Sequence, residues 1–325
     1  MSAAPIGTRS PGPLGRLLDR WGQEAVILGA LVALFVVVGA MNPRFLEGNN
    51  LATIFAGNAY VAVAAIGMSM VIIAGHIDVS VGALIGVLGI VAGTMAVDGL
   101  PVWLAWTAPL AIGALVNAGI GALVAYARIP SIVVTLGMLS ILKGGLISVT
   151  GGKWITDLPE DFRIANLAWF GVPAPVYFMV VLTVAMALWM KYTVAGRAIY
   201  ALGGNPEAAR AAGIPIERGT VLVFAFHGVF AGIASLLFAT QLQVIQSTVP
   251  PNLELTVITA AVIGGVSILG GTGTVVGSTL AAILFATIGS ALIFVGVSAY
   301  WLRAVLGLLI LATVLADIAR RRRGS

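Results

Sequence analysis

The sequence has no cysteine and only two histidines, and only 9% of its 325 residues are charged. The first absence excludes a disulfide framework and a thiolate metal site, and with so few imidazoles a metal centre would rest mainly on carboxylates. The scarcity of charge excludes more. Soluble domains carry about 25% charged and about 45–50% apolar residues, whereas 60% are apolar here, so water is not the solvent of this chain. A Walker-type phosphate loop is also lacking: Gly152-Lys153 is followed by Trp154, with no upstream glycine at the required spacing. No cluster of acids or histidines falls on one side of the apolar runs, as an enzyme handling lipid-linked substrates with magnesium would need. So few buried charges also disfavour an ion-coupled carrier. The net charge of +5 gives no reason to expect nucleic acid, because cationic loops of membrane chains report orientation.

What is present is apolar sequence in long runs. A span takes about 20 residues at about 1.5 Å rise each. Such runs occur at 25–41, 51–74, 79–97, 102–127, 131–149, 176–190, 220–241, 255–269, 274–297 and 300–316. The expected fold is therefore all-α, a polytopic transmembrane bundle of about ten helices with membrane lipid as its surroundings. The expected organisation is an N-terminal tail over 1–24, a transmembrane domain over 25–318 and a basic tail over 319–325. The first run reads as a span that also targets the chain, not as a cleaved signal peptide. The second and third runs are separated by little more than Gly75, His76, Ile77 and Asp78, and the eighth is short; broken or re-entrant helices are expected there.

With both termini cytoplasmic, twelve lysines and arginines fall in inner segments and three, Arg44, Lys153 and Arg163, in outer loops. That bias predicts a bacterial inner-membrane protein with both ends inside. Trp103, Trp106, Trp189, Tyr300 and Trp301 then fall near span ends, where amphipathic rings settle at the headgroups. Gly82 with Gly86 and Gly228 with Gly232 give small residues at spacing four, which lets helix backbones approach.

Two hydrophilic stretches lie outside the runs, 150–172 and the inner 191–219. Within the second, Asn205 suits a helix cap, Pro206 the first turn, and Glu207 the positive helix end; Ala208, Ala209 and Arg210 continue it, and Gly213 and Pro215 end it. A two-turn helix outside the membrane is predicted. Asp78 and Ser80 stand where a helix begins, so the carboxylate reads as a cap at the inner interface or a gating group. Glu254 opens the eighth run near the outer face, again as a capping acid, and the two carboxylates are expected on opposite sides of the membrane. Lys143 is expected to snorkel outward or pair in a loop, Arg303 to anchor at an interface, and His227 to bond between helices. Asn58, Asn117, Thr135, Gln241, Gln243, Gln246 and Glu254 are candidates to line a polar path.

Four blocks in order carry a family resemblance. The segment 203–215, Gly75-His76-Ile77-Asp78-Val79-Ser80-Val81-Gly82, Ile129-Pro130-Ser131-Ile132-Val133-Val134-Thr135-Leu136-Gly137 and Val262-Ile263-Gly264-Gly265-Val266-Ser267-Ile268-Leu269-Gly270-Gly271 resemble sugar-class permeases of ATP-binding-cassette importers. His76 is an extra or displaced residue against that family's Gly-Ile-Asp-Leu-Ser-Val-Gly signature. Thr150-Gly151-Gly152-Lys153-Trp154-Ile155 with Leu158-Pro159 is similar to the autoinducer-2 and rhamnose members. The resemblance implies a transport subunit without its own ATPase, binding no cofactor. ATP and magnesium would be used by a partner ATPase that grips the inner segment. It further implies a second permease, identical or homologous, and a periplasmic binding protein. Asp78, Ser80 and Gly82 become signature and gating candidates. A branched-chain amino acid permease of the same superfamily is the nearest rival.

Overall fold

The computed structural model describes residues 13–163, 167–241, 244–246, 252–298, 300–301, 304–305, 307–308 and 311, with side chains from Gly22 onward. The elements are α1 (Pro13–Met41), a 3-10 turn (Pro43–Leu46), α2 (Gly48–Phe55), α3 (Ala59–Ile73), α4 (Val81–Val97), α5 (Val102–Ala125) and α6 (Ser131–Thr150). A second 3-10 turn (Glu160–Phe162) and two short strands, β1 (Ala168–Trp169) and β2 (Val172–Pro173), precede α7 (Ala174–Tyr192). There follow α8 (Val194–Gly204), α9 (Pro206–Ala211), α10 (Ile216–Ala239), α11 (Leu253–Ile263) and α12 (Val275–Phe294). The strands pair antiparallel, Ala168 with Pro173 and Trp169 with Val172, and an isolated antiparallel bridge joins Ile155 to Ile245. Arg303, Gln243, the N-terminal residues 1–12, most of the tenth predicted run and the basic tail lie outside the described residues.

Among the described residues seven helical segments are long and apolar enough to cross a membrane, and two shorter apolar helices, Val81–Val97 and Leu253–Ile263, accompany them. The expected all-helical multi-pass bundle is what the chain forms. Breaks fall where turn residues interrupt the runs. The second run divides into α2 and α3 at Ala56-Gly57-Asn58, where Asn58 Nδ2 donates to the Thr53 and Ile54 carbonyls, 3.2 Å each. Gln241 Nε2 donates to Gly57 O at 3.0 Å, so the freed carbonyls at the break are satisfied.

The core is built around α3. Every residue of that helix except Tyr60 is buried, as expected of a helix apolar on all sides, and α10, α12, α11 and α7 pack around it. Its Ser69 hydroxyl donates to Ser278 Oγ of α12 at 2.6 Å. Beside α3 runs a seam of backbone contact between α5 and α10. A methyl at Gly228 would collide with the Gly113 carbonyl and one at Gly232 would sit 2.7 Å from Leu110 Cα. The spacing-four glycines of α10 therefore close this seam, so main chains meet where side chains would hold them apart. By contrast α1 lies at the edge, with Val26, Val32 and Val36 exposed.

Enlarging a seam residue should force α5 and α10 apart. Gly228→Leu is expected to destabilise the protein by about 1–3 kcal/mol or more, read as a lower thermal unfolding midpoint in detergent. Gly29→Leu, at an exposed α1 position with open space around it, should leave the midpoint in place.

Candidate functional site

The hydrophilic stretch between α7 and α10 folds as two short helices at a basic end of the bundle, among Arg128, Lys191, Arg197, Arg210 and Arg218. Thr193 caps α8 by accepting from Gly196 N at 2.9 Å. Asn205 Oδ1 accepts from Ala208 N at 3.0 Å and caps α9, with Pro206 at its start and Glu207 in its first turn. At the other end Gly213 takes φ +81°; its N–H donates to Arg210 O and that of Ile214 to Ala209 O, both at 3.0 Å. That is a Schellman close, and it needs the left-handed residue that glycine supplies. Apart from Ala209, α9 is exposed along its length. Arg210 pairs with Glu217 at the start of α10, Nη2 to Oε1 2.6 Å. The predicted short helix is thus present with each capping residue in its expected place, at six residues.

This segment bears directly on two re-entrant turns. The chain between α3 and α4 (residues 74–80) and that between α11 and α12 (264–274) both end against α8. Gly271 N donates to Ile73 O at 2.8 Å. A methyl on Gly203 would collide with that same Ile73 carbonyl and lie 2.9 Å from Gly271 N. Tyr200 of α8 donates its hydroxyl to Gly273 O at 3.0 Å. A cavity of about 520 Å³ lies between α9, the α5–α6 corner and the first turn, bounded by His76, Arg128, Arg210 and Glu217 among others. The His76 ring rests against Phe224, centroids 5.8 Å apart, and burial lowers its pKa from the ordinary imidazole value.

Two carboxylates lie inside the bundle. Asp78 is fully buried in the protein. Its Oδ1 accepts from Ser80 N at 2.8 Å and Ser80 Oγ at 2.5 Å, closing a turn that leads into α4. Oδ2 accepts from Asn117 Nδ2 of α5 at 3.3 Å, and His227 Nε2 of α10 stands 3.4 Å away, an approach that falls short of a hydrogen bond. Gly67 of α3 makes room for the imidazole, since a methyl there would lie 2.6 Å from Nδ1. Thus Asp78 joins three elements and is more than a helix cap.

Glu254, in the first turn of α11, likewise lies within the bundle. Its Oε1 meets Lys143 Nζ of α6 at 3.5 Å, while Oε2 is buried without a hydrogen-bond partner. Gly82, four residues on from Asp78, is what gives it room: a methyl there would lie 2.5 Å from Glu254 Oε2. The two carboxylates therefore both lie by the start of α4, Asp78 in the turn before it and Glu254 against Gly82 in its first turn, and not on opposite sides of the bundle. Lys143 turns to this acid. A lone charge near a bilayer centre costs about 2.5–3.5 kcal/mol on insertion scales, and pairing reduces that cost.

Of the remaining candidates, Thr135 is buried and donates to Ser131 O at 2.9 Å. Ser131 Oγ in turn accepts from Ile77 N at 3.2 Å, so α6 is stitched to the first turn. Asn58 and Gln241 hold the α2–α3 break, and Gln246 is exposed. The Asp78–Asn117–His227 grouping was not assembled from the sequence. Its only signal was three polar residues isolated in apolar surroundings, and nothing local says that they meet.

Residues 50–314 match the family described as branched-chain amino acid transport system, permease component. The chain belongs to that family. Among curated proteins it is 36% identical over 296 residues to the autoinducer 2 import system permease protein LsrC of Salmonella typhi, covering 91% of this chain and 85% of that one. It is 37% identical over 290 residues to LsrC of Enterobacter sp. (strain 638), covering 89% and 84%, and 37% identical over 296 residues to LsrC of Klebsiella pneumoniae, covering 91% and 86%. No solved structure matches. The resemblance to sugar-class importer permeases drawn from four sequence blocks is borne out by these relatives over nine-tenths of the chain, and the family's members are transport subunits of multi-pass form.

Removing the buried carboxylate leaves the Ser80 and Asn117 donors without their shared acceptor. Asp78→Ala should cost about 1–3 kcal/mol for each buried donor left unsatisfied, seen as loss of monodisperse protein on size exclusion, with Asp78→Asn intermediate. Adding His227→Leu to Asp78→Ala should cost less than the two single effects summed.

Proposed function

We propose that this chain is the permease subunit of an ATP-binding-cassette importer in a bacterial inner membrane, carrying a sugar or sugar-like solute of the autoinducer-2 or rhamnose type into the cytoplasm. The observation that carries the reading is α9, an exposed and fully capped helix whose support, α8, touches both re-entrant turns through Gly203. A force on α9 has a short main-chain route to the segments that bear Asp78 and, through α11, Glu254. In this reading the basic end faces the cytoplasm, with both termini there, and residues 191–219 are the coupling segment. Asn205, Pro206, Glu207, Ala208, Ala209, Arg210 and Gly213 form the surface gripped by the ATPase subunit.

ATP and magnesium act in that partner, since this sequence offers no phosphate loop of its own. A second permease completes the path and a periplasmic binding protein delivers the solute. Asp78, Ser80 and Gly82, where the first turn meets α4, are the gating residues in this reading. The names of the relatives favour autoinducer 2 as cargo, whereas the family's description supplies a second reading, a branched-chain amino acid. Uptake of labelled leucine against autoinducer 2 and rhamnose by vesicles holding the whole importer separates the two.

Glu207→Ala and Arg210→Ala should leave the protein in the membrane at its usual level while uptake falls to background and ATP hydrolysis by the partner no longer tracks solute. Full uptake by both variants with the ATPase present would overturn the coupling assignment.

A further inference from the structure

The Lys143–Glu254 pair is not accounted for by packing alone. Lys143 lies twelve residues into α6, about 18 Å along its axis, and Glu254 lies nine residues from the basic-side end of α11, about 14 Å along its axis. Both charges therefore sit well inside the span. The Glu254 side chain is 9% exposed and that of Lys143 40%, so the pair is seated on the bundle and open on the ammonium side. The opening gives onto α6, whose most apolar stretch is only 11% buried. Ser140, three residues before Lys143 and so next to it on the helix, belongs to an exposed stripe of Gly137, Ser140, Gly144 and Ser148 at spacings of three and four, which Val133 and Ile141 share. The glycines have open space around them.

Lipid is a poor neighbour for this arrangement. An exposed ammonium deep in the span needs water or hydrogen-bonding groups, and charged residues within membrane spans face cavities or pathways. The chain also reserves the position, since Gly82 leaves room that a methyl would fill against the carboxylate. Because the pair is neutral overall, it neither repels nor traps a solute of one charge, and it offers donors and an acceptor side by side, the pattern that hydroxyl groups match.

We propose that the Lys143–Glu254 pair is a solute contact on an aqueous path running along the Gly137–Ser148 face of α6, the ammonium donating to and the carboxylate accepting from hydroxyls of a small neutral polyhydroxylated solute. The proposal rests on the transport reading above and adds to it the place of the path and the groups that meet the solute. Asn58 and Gln241 are not part of this wall, being engaged at the α2–α3 break.

The absence of native cysteine makes the test direct. Ser140→Cys and Gly144→Cys, each in the whole importer in membrane vesicles, are treated with a membrane-impermeant methanethiosulfonate. Labelling at least tenfold faster than at Val36→Cys, an exposed position of the peripheral α1, is expected. Labelling no faster than at Val36 overturns the path, whether lipid or a tightly packed second permease covers the face. This readout needs neither solute nor ATP, so it stands even if uptake of the named solutes fails, which would count against the transport reading instead.

In vesicles that take up autoinducer 2 or rhamnose, Lys143→Met and Glu254→Gln should each lower uptake at least tenfold, mainly through KM, with the complex assembling in normal amount. The exchange Lys143→Glu with Glu254→Lys should recover thermal stability lost in either single charge reversal but not uptake. If the exchange restores uptake in full, the pair is only a strut between α6 and α11 and the contact assignment is wrong.

Discussion

At the basic end of the bundle three stretches of chain meet backbone to backbone. The Ile73 carbonyl, the Gly271 amide and the Cα of Gly203 occupy space that no side chain larger than hydrogen could share. Everything that ties α8 and α9 to the interior of the bundle depends on that contact. Side chains yield by changing rotamer, whereas packed main chain has no such slack. Two re-entrant turns and the segment that supports α9 therefore behave as one piece at this point. The glycines are there because the approach requires them; their lack of a Cβ is the structural fact, and their conformational freedom matters at Gly271, whose φ is +78°.

From that junction the two turns lead to different polar centres. The first returns into the bundle and delivers Asp78 to Asn117 and His227; the second begins where α11 ends, and α11 holds Glu254 against Lys143 at its far end. Each interior carboxylate is met by a cation or by hydrogen-bond donors, as a low-dielectric setting demands. They nevertheless differ in finish. Asp78 has both oxygens engaged, whereas Glu254 keeps one oxygen without a partner and shares the other with a half-exposed lysine. A fully engaged buried carboxylate serves the fold, and a partly engaged one beside an opening has capacity left for something else.

Much of this was legible in the sequence wherever the cause was local. The ends of α9 follow from Asn205, Pro206 and Gly213, because caps and left-handed closures are decided by residues a few positions apart. The broken helices followed from glycine-rich gaps between apolar runs. Depth was not legible. Hydropathy places a polar residue between two runs without saying whether the protein covers it, and Asp78 is covered. For Glu254 the sequence gives the outer end of the run 255–269, whereas that run's helix ends at Ile263 and the acid at its start meets Gly82 and Lys143. Lys143 followed suit, since its partner was thought to be elsewhere. The meeting of Asp78 with His227 is a matter of tertiary register between α4 and α10, which no short window of sequence contains.

The seam between α5 and α10 has one more implication. Helices joined carbonyl to glycine over two turns slide or tilt against one another only by breaking many contacts at once, so the pair forms a stiff plank. Asn117 stands on that plank and fastens the first turn to it through Asp78, with His227 of the same plank packed alongside. The second turn is tied instead to the peripheral α1, by Gln23 to the Ile263 carbonyl and Glu24 to the Thr274 hydroxyl. Two turns of similar shape, loaded at a common point, thus have unequal moorings, one bolted to the stiffest part of the molecule and the other lashed to its rim. Under equal load the rim gives first.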